Sequence, residues 1–136
     1  MQSLYNLGFD LILDGKKTIE SRFTKIRCAP YGKIDTGDVV YLKESGGPVK
    51  GQFTVCKVET YTDLTSEMRH EINRRYHRHI FVDPQFQGFW EKWSASKYAT
   101  LIHVDNVSAY KKPIPFPKKD GRAWVLLDKP LSFPEH

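Results

Sequence analysis

The spacing of apolar positions changes several times along the chain, and each change marks an element. Leu7, Leu11 and Ile12 follow a helical spacing that predicts a short N-terminal helix closing at Gly15. From Lys17 to Phe23 the period drops to two, with Ile19, Ser21 and Phe23 pointing one way and Thr18, Glu20 and Arg22 the other. That pattern predicts a strand whose apolar side meets the core and whose polar side faces a cleft or solvent. Lys25–Lys33, which holds Pro30 and Gly32, reads as a loop, and Asp35-Thr36-Gly37-Asp38 as a turn into a strand at Val39–Leu42. Gly46-Gly47-Pro48 breaks that strand and Gly51–Tyr61 resumes it, with Phe53 and Val55 on one face and Cys56 and Val58 on the other. A β-hairpin is the economical reading.

Ser66 is placed to cap a helix in which Met68, Ile72 and Tyr76 recur every four residues. His70, Arg74, His77 and Arg78 gather on its opposite, basic face. Asp83-Pro84 marks the start of a second helix, followed by an aromatic stripe of Phe86, Phe89, Trp90 and Trp93 that reads as core. Tyr98–Val107 and Ala123–Leu127 read as strands, joined by an irregular stretch around Pro113, Pro115 and Pro117. Segregated helices with short, mostly antiparallel strands predict an α+β domain built on a small barrel.

A length of 136 residues fits one domain covering 1–136, and 40% hydrophobic against 27% charged residues fits a globular chain. No apolar run approaches the ~18 residues of a membrane span, and no signal core opens the chain, so a cytoplasmic protein without a membrane partner is expected. Cys28 and Cys56 read as free thiols. His77 and His79 lie two positions apart, diverging by about 200° on a helix, so with His70 they read as solvated side chains. No metal and no cofactor is expected.

Charge narrows the partner. The net charge is +5, and Lys16, Lys17, Arg22, Lys25, Arg27 and Lys33 face Glu20 alone, so one segment carries a surplus equal to the whole. The helix from Ser66 to Ile80 adds a further +2. Clustered cations attract polyanions, because neutralising phosphates releases condensed counterions.

The segment richest in chemistry is Gly15-Lys16-Lys17-Thr18-Ile19-Glu20-Ser21-Arg22. A glycine stop delivers Lys17 to the mouth of a strand, from which Glu20 and Arg22 leave on one face. An ammonium, a guanidinium and a carboxylate together suit a polar heterocycle or a phosphate. The same three groups can also pair among themselves at a surface.

Gly15, Lys17, Glu20 and Arg22, after Phe9-Asp10-Leu11-Ile12-Leu13-Asp14, resemble the Gly-x-Lys-x-x-Glu-x-Arg signature of the ASCH domain family in the PUA-like superfamily. Ile34-Asp35-Thr36-Gly37-Asp38-Val39-Val40 is similar to that family's glycine–aspartate turn, and Tyr98–Val104 to a later core strand. The resemblance spans about residues 7–110, and the 122–127 ending is compatible with it. It implies a small mixed β-barrel of five to six strands flanked by helices, with a cleft lined by the motif. It also implies binding of RNA or of a modified nucleoside or nucleotide, with single-stranded RNA as the expected partner. Lys17, Glu20 and Arg22 would line the cleft, while Lys16, Lys25, Arg27, Arg74 and Arg78 would reach phosphates. Tyr31 and Tyr98 are candidate base-stacking residues, and both also read as packing.

The alternative within the family is a small hydrolase. One branch removes an acyl group from a modified cytidine, using a nucleophilic Thr where this chain has Glu20. A carboxylate is a poorer attacker there, although the neighbouring Thr18 offers a hydroxyl. Cleavage of RNA would instead use Lys17, Glu20 and Arg22 as base and phosphate stabilisers. Protein partners are not legible in the sequence.

Overall fold

The computed structural model describes residues 2–7, 12–44, 47–80, 93–116 and 124–127, without the side chains of 2–7, Glu44, His77 and Ile80. The chain order is β1 (Gln2–Leu7), β2 (Ile19–Thr24), β3 (Val39–Glu44), β4 (Val49–Thr62), α1 (Ser66–Ile80), β5 (Tyr98–Ile114) and β6 (Trp124–Leu127). These strands make one six-stranded sheet in the order β2-β5-β4-β3-β1-β6, in which only β1 and β3 run parallel. The sheet curls into a half-barrel, giving a small α+β fold.

Burial alternation explains the long strand β4. Val49, Gly51, Phe53 and Val55 are buried in turn, while the residues between them are half-exposed. Gly51 is required by close approach, since a Cβ there would lie 2.5 Å from the Ser108 carbonyl and 2.6 Å from a Leu13 methyl. At Cys56 the β4–β5 register slips between Val55 and Lys57. This extra residue shifts the alternation, so Val58 joins Phe53 and Val55 on one face and Cys56 is exposed. The simple two-face expectation for Cys56 and Val58 is thereby corrected.

Two layers of apolar packing result. Ile12, Ile34, Val40, Leu42, Phe53, Val55, Ile102 and Trp124 fill the concave side of the sheet. On the convex side Ile19, Ala99 and Leu101 pack against Leu64 and Ile72, so α1 covers that face. The helix is capped by Thr65, whose hydroxyl accepts from the Met68 amide at 3.1 Å, one residue earlier than Ser66. Ile72 is buried and Met68 and Tyr76 are half-buried, as the four-residue spacing predicts.

The N-terminal helix is corrected in part. Leu7 belongs to a strand, and residues 12–15 form a turn in which the Gly15 amide donates to the Ile12 carbonyl at 3.1 Å. Gly15 has φ +76°, the left-handed conformation that makes glycine the stop. The rest of that segment, 8–11, lies outside the described residues, as do 81–92, where the second helix is expected; residues 93–95 are helical. The irregular connection expected at Pro113 is also corrected, because β5 continues to Ile114 opposite Val49.

Candidate nucleic-acid interface

The register of the sheet decides which side chains share a face. Glu20 stands opposite Ile102 and Val58, Arg22 opposite Thr100 and Thr60, and Thr24 opposite Tyr98 and Thr62. Directly opposed residues point the same way. Ile102 and Val58 belong to the concave core, so Glu20, Arg22 and Tyr98 project onto the concave face. The loop from Lys25 to Lys33 returns over it: Ala29 packs on the concave core and Pro30 is buried. Turns from the Tyr31 amide to the Cys28 carbonyl (3.0 Å) and from the Lys33 amide to the Pro30 carbonyl (2.9 Å) hold the loop.

At one end of this face Lys17 Nζ lies 2.7 Å from Glu20 Oε2. The Glu20 side chain is 3% exposed and that of Lys17 15%, so the pair is withdrawn from bulk water. The polar side of the strand therefore does not face open solvent at Glu20. Out of bulk water the two charges attract each other more strongly but cost more to desolvate, so removing either one would strand the other, and the pairing fixes where the ammonium sits. Glu20 is thus a positioning group for Lys17. The backbone here is anchored from both sides: the Thr18 amide donates to the His79 carbonyl (3.1 Å) and the Val104 amide to the Thr18 carbonyl (2.9 Å). The Thr18 hydroxyl is engaged with His79 Nδ1 at 3.1 Å, at the end of α1, rather than offered to the motif.

At the other end Tyr31 and Tyr98 meet edge to face, with ring centroids 5.1 Å apart and planes at 66°. The Tyr31 hydroxyl is hydrogen-bonded to Thr62 Oγ1, a contact with no local signal in the sequence. The Arg27 guanidinium lies 5.4 Å from the Tyr98 ring centre and 6.0 Å from that of Tyr31. A hydrogen bond to the Tyr98 hydroxyl, with Coulombic support from Tyr98, Tyr31 and Asp63, raises the Arg27 guanidinium above its ordinary pKa.

The remaining nominated residues divide. Lys16 and Lys25 are exposed at the two ends of β2, within the same region. Arg74 and Arg78 are exposed on α1, which packs on the convex face, and Arg78 stands next to His79, whose bonds to Thr18 bring that end of the helix to the start of β2. Arg74 is further tied to Glu71 by bonds of 3.0 and 2.6 Å. Among the described residues no group of three or more His, Cys, Asp or Glu side chains could hold a metal ion, and no helix is long and apolar enough to cross a membrane.

Known structures share this architecture. The ASCH protein of Zymomonas mobilis is 16% identical, with a TM-score of 0.68 over 94% of this chain and 88% of that one. A single-substitution variant of the same protein gives 0.67 over 94% and 91%. A structure solved as a hypothetical protein is 19% identical, with a TM-score of 0.51 over 84% of this chain and all of the other. No family model matches the sequence, and no curated protein matches it. The fold is that of an ASCH domain.

Proposed function

We propose that the concave face is a binding site for RNA or for a modified nucleoside or nucleotide, centred on Lys17, Glu20 and Arg22. The observation that carries the reading is the alignment of two polar clusters on one face: the buried Lys17–Glu20 pair with Arg22 beside it, and the Arg27–Tyr31–Tyr98 corner along the same strands. A held ammonium and guanidinium suit anionic oxygens, and exposed Lys16, Lys25 and Arg27 supply further positive charge around them. The likeness in fold to ASCH proteins is in keeping with such a partner.

The hydrolytic alternative draws less support from the geometry. A general base must reach the proton it removes, and the Glu20 carboxylate is 3% exposed against Lys17. The hydroxyl nearest the motif, Thr18, is occupied by His79.

Fluorescence anisotropy with a short labelled oligouridylate tests the reading. Between about 50 and 200 mM salt, log K is expected to fall by about 0.7 for each phosphate neutralised. Lys17→Gln and Arg22→Gln should each flatten that slope. A salt-independent affinity, or variants that bind like the wild type, would refute the site.

A further inference from the structure

Resting on that reading, we propose that His79, the penultimate residue of α1, is a positioning residue for the site: by gripping Thr18 at two points it sets where the Lys17 ammonium stands. Lys17 lies outside the sheet. Strand β2 begins at Ile19, and the turn over residues 12–15 ends two residues before Lys17. The backbone of Lys17 is therefore set through its neighbour. A peptide unit is planar, so the Thr18 amide that donates to the His79 carbonyl at 3.1 Å also orients the Lys17 carbonyl in the same plane. The Val104 amide holds the Thr18 carbonyl at 2.9 Å, so Lys17 follows a residue fixed on both sides.

The grip comes from an element packed on the other face of the sheet. Helix α1 ends at Ile80, so the His79 carbonyl is among the four at a helix end that the helical ladder leaves open. The Thr18 amide fills that need. The imidazole adds a second bond, with His79 Nδ1 3.1 Å from the Thr18 hydroxyl. One bond would leave Thr18 free to swivel; two fix its orientation as well as its place. Ile72, with Met68 and Tyr76, seats α1 on the convex core, so the anchor is itself held. Lys17 carries its charge on a flexible four-carbon stem, which is located only when both ends are held. Glu20 holds the tip at 2.7 Å, and the Thr18–His79 bonds hold the base. His79, exposed and reading in sequence as a solvated side chain, is thus tied to the motif.

Anisotropy with the labelled oligouridylate, run beside thermal melts of the full chain, tests the assignment. Thr18→Val keeps the shape of the side chain and loses its hydroxyl; His79→Leu loses Nδ1. Each should weaken binding about fivefold, as expected for one lost hydrogen bond. Each should also flatten the salt slope by up to about 0.7, because a displaced ammonium no longer neutralises its phosphate. Thr18→Ser and His79→Asn return a polar atom to the same place and should restore both affinity and slope. In a Lys17→Gln background Thr18→Val should have no further effect on binding, since it acts through Lys17. If Thr18→Val and His79→Leu lower the melting temperature yet leave affinity and slope unchanged, or still weaken binding without Lys17, His79 does not position Lys17 and the wider site stands. If the wild type does not bind, or Lys17→Gln binds like it, the underlying reading falls and this one with it.

Discussion

The two faces of the β4–β5 ribbon carry polar clusters built from neighbouring residues, and they are completed to different degrees. On the convex face His103 Nε2 lies 2.7 Å from Glu59 Oε2, and the Tyr61 hydroxyl donates to Glu59 Oε1 at 3.2 Å. Tyr76 of α1 also hydrogen-bonds Glu59, and its ring meets His103 edge to face at 5.6 Å. Every member is half-buried, and each satisfies another. On the concave face the Arg27–Tyr31–Tyr98 corner ends in a fully exposed cation resting on rings. The first arrangement fastens a helix to a sheet; the second belongs to the face proposed to bind RNA or a nucleotide. Polarity alone does not mark a site, and its completion by protein groups is what separates clamp from interface.

Breaking the clamp has the largest expected effect. Glu59→Ala strands His103, Tyr61 and Tyr76, and should lower stability by about 3 kcal/mol in urea melts while leaving oligouridylate affinity per folded molecule unchanged. The same network predicts the pH profile. Burial pushes the Glu59 carboxyl up, but hydrogen bonds from His103, Tyr76 and Tyr61, with Lys57 nearby, hold it below its ordinary value of 4.5. A carboxyl lowered in the folded state contributes stability that is present above about pH 4.5 and is lost as pH falls through the folded value. Tyr61, raised mainly by burial, and Tyr76, raised mainly by its bond to Glu59, act at the other limit. Their contribution is present below about pH 10 and is lost as pH rises beyond it. Thermal melts of Glu59→Gln should show a flatter acid limb than the wild type.

Lys17 tests the boundary between the two roles. It belongs to the proposed interface, yet the side chain of its partner Glu20 is only 3% exposed. Lys17→Met should therefore cost about 2 kcal/mol and also weaken oligouridylate binding, the two effects appearing together in melts and anisotropy. A stability loss without a binding loss would move this pair to the side of the clamp.

The sequence made some of this division legible and hid the rest for definable reasons. Alternation around Ile19 and the four-residue spacing of Met68, Ile72 and Tyr76 are local signals, and both elements formed as expected. The facing of Glu20 and Arg22 followed from the same alternation, but the burial of Glu20 did not, because burial depends on what the loop and barrel bring over it. Strand β1 has no apolar period of its own and owes its structure to pairing with β3 and β6, far along the chain. The bulge at Cys56 inverts faces without any glycine or proline to announce it. Glu59 and His103 are 44 positions apart, so no spacing could join them. Tyr31 and Tyr98 were legible as residue types; their contact required the fold.

A smaller effect is expected at Tyr31. Losing one edge-to-face ring contact costs about 1 kcal/mol of stability, less than the clamp, while affinity for the oligouridylate falls about tenfold. A variant with the opposite balance, unstable but binding normally, would mean that Tyr31 serves the loop alone.

The smallest expected effect is at Arg74, which residue type and helical face both nominate for phosphate contact. Its guanidinium makes two bonds to Glu71 three residues earlier, so its charge is matched on its own helix. It also stands on α1, across the sheet from Lys17 and Tyr98. Exposed pairs of this kind contribute little, and salt screens what remains. Arg74→Ala should therefore leave both the melting transition and the salt slope of oligouridylate binding indistinguishable from the wild type. A slope flattened as much as by Lys17→Gln would show that RNA wraps from the concave face around the helix, and the separation of clamp from interface would then fail at its convex edge.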